Sequence, residues 1–305
     1  MIELSAQGAD NWHSSYAGDT FNTVWTMRGL LPQEVELDYV TAFGDDPFSL
    51  KQRDFFASNN IGVAASPTVK GGKPGLYAIT LDGFERSFTY WRSDAAARFL
   101  ADDVECLRES LGRRDLVYLS GITLAILSPK SRRILLAELG RIRRSKTIIA
   151  FDPNYRSRLW RAPEEARIVI EEALSIADIA LPTFQDEQDL FADREPQHTI
   201  ERLLSAGVKE VVVKAGSGPA LFAGEGSSGT VCAEYVEKPI DTTGAGDAFN
   251  GGYLASRLQG RSINEACGDA HRIAAISVMS RGALTPLNLL ERFRDVAIPP
   301  AISLD

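Results

Sequence analysis

The sequence predicts an α/β protein: a doubly wound, mainly parallel sheet flanked by helices, with a small β-sheet set beside it. Three observations carry that expectation. From about residue 115 onward, short apolar runs alternate with amphipathic segments of helical period, the pattern of repeated β-α units around a parallel sheet. Between about residues 61 and 92 the character changes to short strand-like runs separated by Gly71-Gly72 and Asp82-Gly83. The chain has 305 residues, 44% hydrophobic and 24% charged, enough to bury a substantial core.

Composition narrows the classes of partner. The 33 basic and 41 acidic residues leave a net charge of −8, which argues against a general nucleic-acid or anionic-membrane partner. Cys106, Cys232 and Cys267 are scattered without Cys-x-x-Cys spacing, so neither a disulfide framework nor a zinc site is expected. No apolar stretch approaches the ~18 residues of a membrane span. Met1 to Ser5 lacks the basic and apolar regions of a signal peptide, so a cytoplasmic protein is expected.

Along the chain, Ala17-Gly18-Asp19-Thr20-Phe21-Asn22 opens a helical pattern that runs to Met27. Val63 to Ala65, Leu76 to Leu81 and Arg86 to Trp91 read as antiparallel strands joined by turns, a natural lid able to exclude water from a site. Alternation places Tyr90 and Arg92 on one face of the last strand and Trp91 on the other. Leu116 to Leu119, Thr147 to Phe151, Ile179 to Leu181 and Val211 to Lys214 read as buried strands; Lys130 to Arg143 and Pro163 to Ile176 read as helices. Phe151-Asp152-Pro153-Asn154-Tyr155-Arg156 follows its strand directly, at the carboxyl end of the sheet where open α/β folds bind ligands. Arg92 and Arg156, both in ligand-facing segments, suit a carboxylate through paired guanidinium donors. Val211 to Lys214 runs into the small-residue turn Ala215-Gly216-Ser217-Gly218.

The most informative stretch is Asp241-Thr242-Thr243-Gly244-Ala245-Gly246-Asp247-Ala248-Phe249-Asn250-Gly251-Gly252. Gly244 and Gly246 allow backbone conformations in which consecutive N–H groups converge on one small anion. Phe249, Tyr253 and Leu254 follow at near-helical spacing, so the turn opens a helix whose N-terminus favours a phosphate. Asp247 stands at that mouth, where it can accept a proton from an attacking hydroxyl. Competing phosphate signatures are missing: no Gly-x-x-x-x-Gly-Lys-Ser/Thr occurs, and Gly71-Gly72-Lys73-Pro74 reads as a turn because its proline blocks the required loop-to-helix register.

The whole string, with Ala17 to Asn22, resembles the PfkB (ribokinase-like) family of sugar and nucleoside kinases. That resemblance implies one ribokinase-like kinase domain over 1–305, with lid segments at about 10–20, 35–43 and 61–92. It implies Asp247 as catalytic base and Gly244, Ala245 and Gly246 as the anion hole for the transferred phosphoryl. ATP is the implied donor, with Lys214, Gly216, Gly218, Thr243, Gly244, Gly246 and His271 as its contacts. Magnesium is implied to arrive with ATP, with Asp186 and Glu187 acting through water, since Thr183 stands where the family has asparagine. A potassium ion at Asp241 and Thr243 is compatible with the same likeness. The family's first strand precedes the segment matching Met1 to Leu4, so that strand is expected to be absent.

Further blocks resemble the members of this family that act on 2-keto-3-deoxygluconate: Gly18 to Asn22, Tyr39 to Phe48, Gly75 to Tyr77, Tyr90 to Arg92, Tyr118 to Thr123, Phe151 to Arg156 and Pro182 to Phe184. The implied substrate contacts are Gly18, Asp19, Asn22, Tyr77, Tyr90, Arg92 and Arg156, with the arginines at the carboxylate and Asp247 at the C6 hydroxyl. The implied product is 2-keto-3-deoxy-6-phosphogluconate. Pairing of lid sheets into a homodimer is implied as well. A kinase of another sugar, such as fructose or another keto-deoxy acid, and a noncatalytic sugar-binding regulator remain open alternatives.

Overall fold

A computed structural model describes residues 1–6, 10–63, 65–82 and 85–294, with side chains of 81–86 left aside. The N-terminal half contains β1 (Ile2–Ala6), β2 (Trp12–Tyr16), α1 (Asp19–Leu30), β3 (Phe43–Gly44), α2 (Pro47–Ser58), β4 (Thr68–Val69), β5 (Leu76–Asp82), β6 (Glu85–Trp91) and α3 (Val104–Leu111). The chain continues through β7 (Leu116–Ser120), α4 (Gly121–Ile126), α5 (Pro129–Arg143), β8 (Ile148–Asp152), α6 (Pro163–Ile176), β9 (Ile179–Ala180), α7 (Phe184–Phe191), α8 (Pro196–Ser205) and β10 (Glu210–Val213). It ends with β11 (Ala220–Gly224), β12 (Ser227–Val231), α9 (Ala245–Leu258), α10 (Ile263–Ser277) and α11 (Leu287–Leu290). No helix of the described residues is long and apolar enough to cross a membrane.

The main sheet has the order β12-β11-β10-β9-β8-β7, parallel from β7 to β10 and antiparallel beyond. Its central strands β8 to β10 are buried on both faces because both are covered. Val211 and Val213 of β10 pack in a core with Leu139 of α5, Ile170 of α6 and Leu203 of α8. Val212 packs in the opposite core with Met27 of α1, Leu254 of α9 and Cys267 of α10. Burying a Val or Leu side chain stabilises by roughly 1.5–3 kcal/mol, which is why so short a strand as β10 holds its place. Local signals set the helix starts: Ser128 accepts a 3.1 Å bond from Ser131 N ahead of Pro129, and Ser262 with Glu265 forms a reciprocal capping box.

The lid is a second sheet, β2-β1-β5-β6. The predicted β5–β6 pairing is antiparallel, with Leu76 opposite Trp91 and Tyr77 opposite Tyr90. The third predicted lid strand is not one: among its described residues, Val63 and Ala65 are outside any strand, and Gly62 makes only an isolated bridge to Asp38. Ala64 of that run and Gly83 of the predicted turn lie outside the described residues. In its place the N-terminal hairpin β1–β2 joins the sheet, with β1 parallel to β5 (Ile2 opposite Leu76). The lid is therefore mixed rather than wholly antiparallel.

Among the described residues β7 is an edge of the main sheet. Asp115 O accepts from Ile148 N on β8, so strand alternation turns the backbone groups of Leu116 and Tyr118 the other way. They line a cavity of about 170 Å³ that the 36–40 segment also lines. There Leu37 and Tyr39 pair with Gly62, which leaves the backbone groups of Asp38 and Val40 on the opposite side.

Candidate active site

Lid and body enclose a cavity of about 450 Å³, lined among others by Gly18, Asp19 and Asn22 from the start of α1, Tyr77, Phe88, Tyr90 and Arg92 from the lid, Asn154, Arg156 and Arg158 from the loop after β8, and Thr243, Gly244 and Asp247 from the turn into α9. The predicted substrate residues and the predicted base thus share one space.

The turn is built around Gly244, whose φ of 75° lies in the left-handed region and whose missing Cβ would stand 3.0 Å from Ala283 O. At Gly246 the reason differs: a Cβ there would meet nothing within 4 Å, so the glycine leaves open space beside the helix start. The first helical bond of the turn runs from Ala248 N to Gly244 O, 2.8 Å, and the Gly246 and Asp247 amides precede it without intrahelical partners. Asp241 secures the turn from behind, accepting from Thr243 N (2.9 Å) and Gly282 N (2.8 Å).

Asp247 is positioned by α1. Asn22 Nδ2 donates to Asp247 Oδ2 at 2.8 Å, and Thr23 Oγ1 donates to its carbonyl at 3.3 Å. Asn22 is itself oriented by Gly18, whose N–H donates to Asn22 Oδ1 at 3.1 Å. Burial first, then the neighbouring Asp19, pushes the Asp247 carboxyl up to about 8, while the Asn22 bond pulls the other way. Asp19 Oδ2 and Asn154 Oδ1 are buried acceptors without a protein donor among the described residues. Two orphan acceptors in one polar cavity suit a ligand bearing hydroxyl groups.

The lid supplies the aromatic wall. Arg92 lies over the Tyr90 ring at 4.5 Å, as the predicted shared face requires, and Arg158 approaches the same ring at 5.7 Å. Tyr77 packs beside Tyr90 with ring centroids 5.7 Å apart, and its hydroxyl donates to the buried Glu3 carboxylate. Arg156 lines the cavity while its Nη1 pairs with Asp186 at 3.1 Å. Arg158, Asn154 and Glu3 were not singled out from the sequence. Proximity to the Phe151 to Arg156 block could have flagged Arg158; nothing local signals Glu3, which reaches Tyr77 only through the β1–β5 pairing.

Several nucleotide and metal candidates stand elsewhere. Lys214 is 6% exposed and turns inward, its Nζ 2.8 Å from Asp152 Oδ2 and 2.8 Å from Asn250 Oδ1, because the low-dielectric interior requires a buried ammonium to be paired. His271 Nε2 lies 3.1 Å from Val231 O and 3.3 Å from Ala220 N, edge-on to Phe249, and burial lowers its pKa. Gly216, with φ 61°, and Gly218 form the turn between β10 and β11. Glu187 does not face the cavity: it is buried, 2.5 Å from Arg202 Nη2, and burial pushes it up to about 7. No group of three or more His, Cys, Asp or Glu among the described residues is arranged to hold a metal ion.

A helix N-terminus opened by glycines, a carboxylate in its first turn and a lidded polar cavity at the sheet's carboxyl end define a phosphotransferase acting on a hydroxylated small molecule. The model of the pfkB family carbohydrate kinases matches residues 3–289, and the chain belongs to that family of carbohydrate kinases. It is 42% identical, over 94% of each chain, to 2-dehydro-3-deoxygluconokinase of Escherichia coli (strain K12). It is 38% identical, over 95% of this chain and 96% of the relative, to 2-dehydro-3-deoxygluconokinase of Dickeya dadantii (strain 3937). In fold it is similar to a fructokinase from Vibrio cholerae O395 solved with fructose, ADP and calcium, with TM-score 0.82, 24% identity and 96% of each chain covered.

Proposed function

We propose that this chain transfers the γ-phosphoryl of ATP to the C6 hydroxyl of 2-keto-3-deoxygluconate, giving 2-keto-3-deoxy-6-phosphogluconate and ADP. The observation that carries the reading is that guanidinium groups and a base candidate line one cavity: Arg92, Arg156 and Arg158 for a carboxylate, Asp247 for a hydroxyl. The 42% identical relative named for this substrate supports it.

In this mechanism the keto acid lies under the lid with its carboxylate toward the arginines and hydroxyls on Asp19 and Asn154. Asp247, ionised and steered by Asn22, takes the C6 hydroxyl proton. The alkoxide oxygen bonds to the γ-phosphorus as its bond to the β,γ-bridging oxygen breaks, and ADP leaves with that electron pair. The amides at the start of α9, across the Gly244, Ala245 and Gly246 turn and into Asp247, receive the charge on the transferred group. Magnesium entering with ATP would neutralise phosphate charge. The residues present fit an ion held by phosphates and water: Asp186, paired with the cavity-lining Arg156 at 3.1 Å, would act on it through water. Contacts of ATP with the Gly216 to Gly218 turn, and potassium near Asp241 and Thr243, belong to the same reading.

The deciding experiment is a coupled assay of ADP release with magnesium, comparing 2-keto-3-deoxygluconate, 2-keto-3-deoxygalactonate, fructose and ribose, with sodium substituted for potassium in a parallel series. Preferential turnover of 2-keto-3-deoxygluconate is expected; preference for a neutral sugar would overturn the substrate. Three further parts of the reading have their own support. Exposed Trp12 and Trp91 on the lid sheet favour a homodimer paired there, which sedimentation would detect. Three free cysteines favour a reducing, cytoplasmic setting. The cavity between β7 and residues 36–40, with β7 an edge strand among the described residues, favours the reading that the main sheet lacks a strand at that place.

A further inference from the structure

Three strands of the main sheet and the first turns of α9 meet in a polar cluster that the transfer reaction above leaves unused. Lys214, following β10, donates to Asp152 Oδ2 at the end of β8 and to Asn250 Oδ1, both at 2.8 Å. Asn250 stands three residues beyond Asp247 on α9 and is 0% exposed. Its Nδ2 donates to Asp152 Oδ2 at 2.7 Å and lies 3.0 Å from Tyr118 Oη on β7. Asp152 Oδ1 accepts from Asn154 N at 3.0 Å.

A buried ion pair gains little stability over apolar residues of the same volume, so such a pair beside a reacting centre calls for another explanation. Asn250 ties the helix that carries Asp247 to the ends of β7, β8 and β10. Asp152 and Lys214, both bonded to Asn250 on α9, place opposite charges beside the first turns of the helix that carries Asp247. We propose that Asp152, Lys214 and Asn250 form a positioning set for Asp247, in which Asn250 holds the helix start in register and the Asp152–Lys214 pair sets the charge beside it. Lys214 thereby serves the carboxylate rather than the nucleotide. The inference rests on the reading of Asp247 as the base.

The groups facing Asp247 come from five elements: Asp19 and Asn22 on α1, Tyr77 on β5, Tyr118 on β7, Asp152 on β8 and Lys214 following β10. Burial and Asp19 dominate in raising its pKa; Asp152 adds to them and Lys214 opposes them. Removing either member of the pair leaves the other charge uncompensated, so the two removals act in opposite directions.

The experiment is a ¹³C NMR titration of the Asp247 carboxylate in the full chain, its Lys214→Met and Asp152→Asn variants and the double variant, with pH profiles of kcat/KM measured alongside. The Asp247 midpoint should rise by about one pH unit in Lys214→Met, fall by about one in Asp152→Asn and lie between them in the double variant. A midpoint that stays put, or moves the same way in both single variants, overturns the positioning role. Should Lys214→Met fail to fold, the double variant still tests it: a midpoint about one pH unit above that of Asp152→Asn is expected neither from loss of packing nor from a nucleotide contact, and equal midpoints overturn the role. Midpoints that move as expected while the kcat/KM limb does not follow them uphold the cluster's role and sink the base assignment instead.

Discussion

Asn22 donates a 2.8 Å hydrogen bond to the carboxylate of Asp247 across 225 positions of sequence, so the start of α1 orients the acidic group at the start of α9. Both residues line the same cavity, and Gly18 fixes the amide of Asn22 in turn.

Replacement of Asp247 by asparagine should lower turnover by about 10²–10⁴-fold, the range of a lost general base, while calorimetry shows the keto acid still bound. Asn22→Ala should produce a smaller loss, because it misorients the proposed base without removing it. Near-normal turnover of Asp247→Asn would remove Asp247 from the chemistry.

On the proposed mechanism Asp247 acts ionised, so kcat/KM should fall as pH drops through about 8, the value to which burial and Asp19 push its carboxyl. Stability has the opposite sense. The folded state keeps this proton to higher pH than the unfolded chain, whose carboxyl titrates near ~4, so folding free energy should decline as pH rises between those limits. Asp247→Asn should flatten that decline in denaturant titrations at several pH values. A profile as steep as the wild type's would show that other groups carry it.

Arg92→Ala and Arg158→Ala should each weaken binding of the keto acid about tenfold or more while leaving ATP affinity within a few-fold, the loss expected of a charge-assisted hydrogen bond of roughly 1.5–3 kcal/mol. Arg156→Ala should cost less, since its guanidinium is already shared with Asp186. Titration calorimetry with each ligand separates the cases, and unchanged keto-acid affinity in all three variants would refute carboxylate recognition.

A side chain at position 244 meets two penalties, a left-handed φ of 75° and the Ala283 carbonyl 3.0 Å from the new Cβ. Gly244→Ala should therefore destabilise by about 1 kcal/mol or more and lower turnover, whereas Gly246→Ala should leave the melting temperature nearly unchanged and act on turnover alone. Thermal melts and rates on both variants test the contrast.

Much of the body was legible because its signals are local. The Val-rich run at β10 and the runs at β7 and β8 are apolar on both faces, and the predicted bounds of α5 and α6 follow from prolines and helical period within one segment. The turn at Gly244 to Asp247 was legible for the same reason, since backbone freedom and a helix start are properties of neighbours in sequence.

What sequence alone determined, then, was the α/β class, the order of most elements and the residue types available at the cavity. Tertiary structure decided who meets whom. The pairing of β1 with β5 brought Glu3 to Tyr77, the packing of α7 on α8 gave Glu187 to Arg202, and the meeting of three strand ends with α9 turned Lys214 toward Asp152 and Asn250. Each of these partners lies far away along the chain or on a face that periodicity does not specify. A buried charge takes whichever counter-charge the fold brings within reach, and that choice is made only when the elements pack.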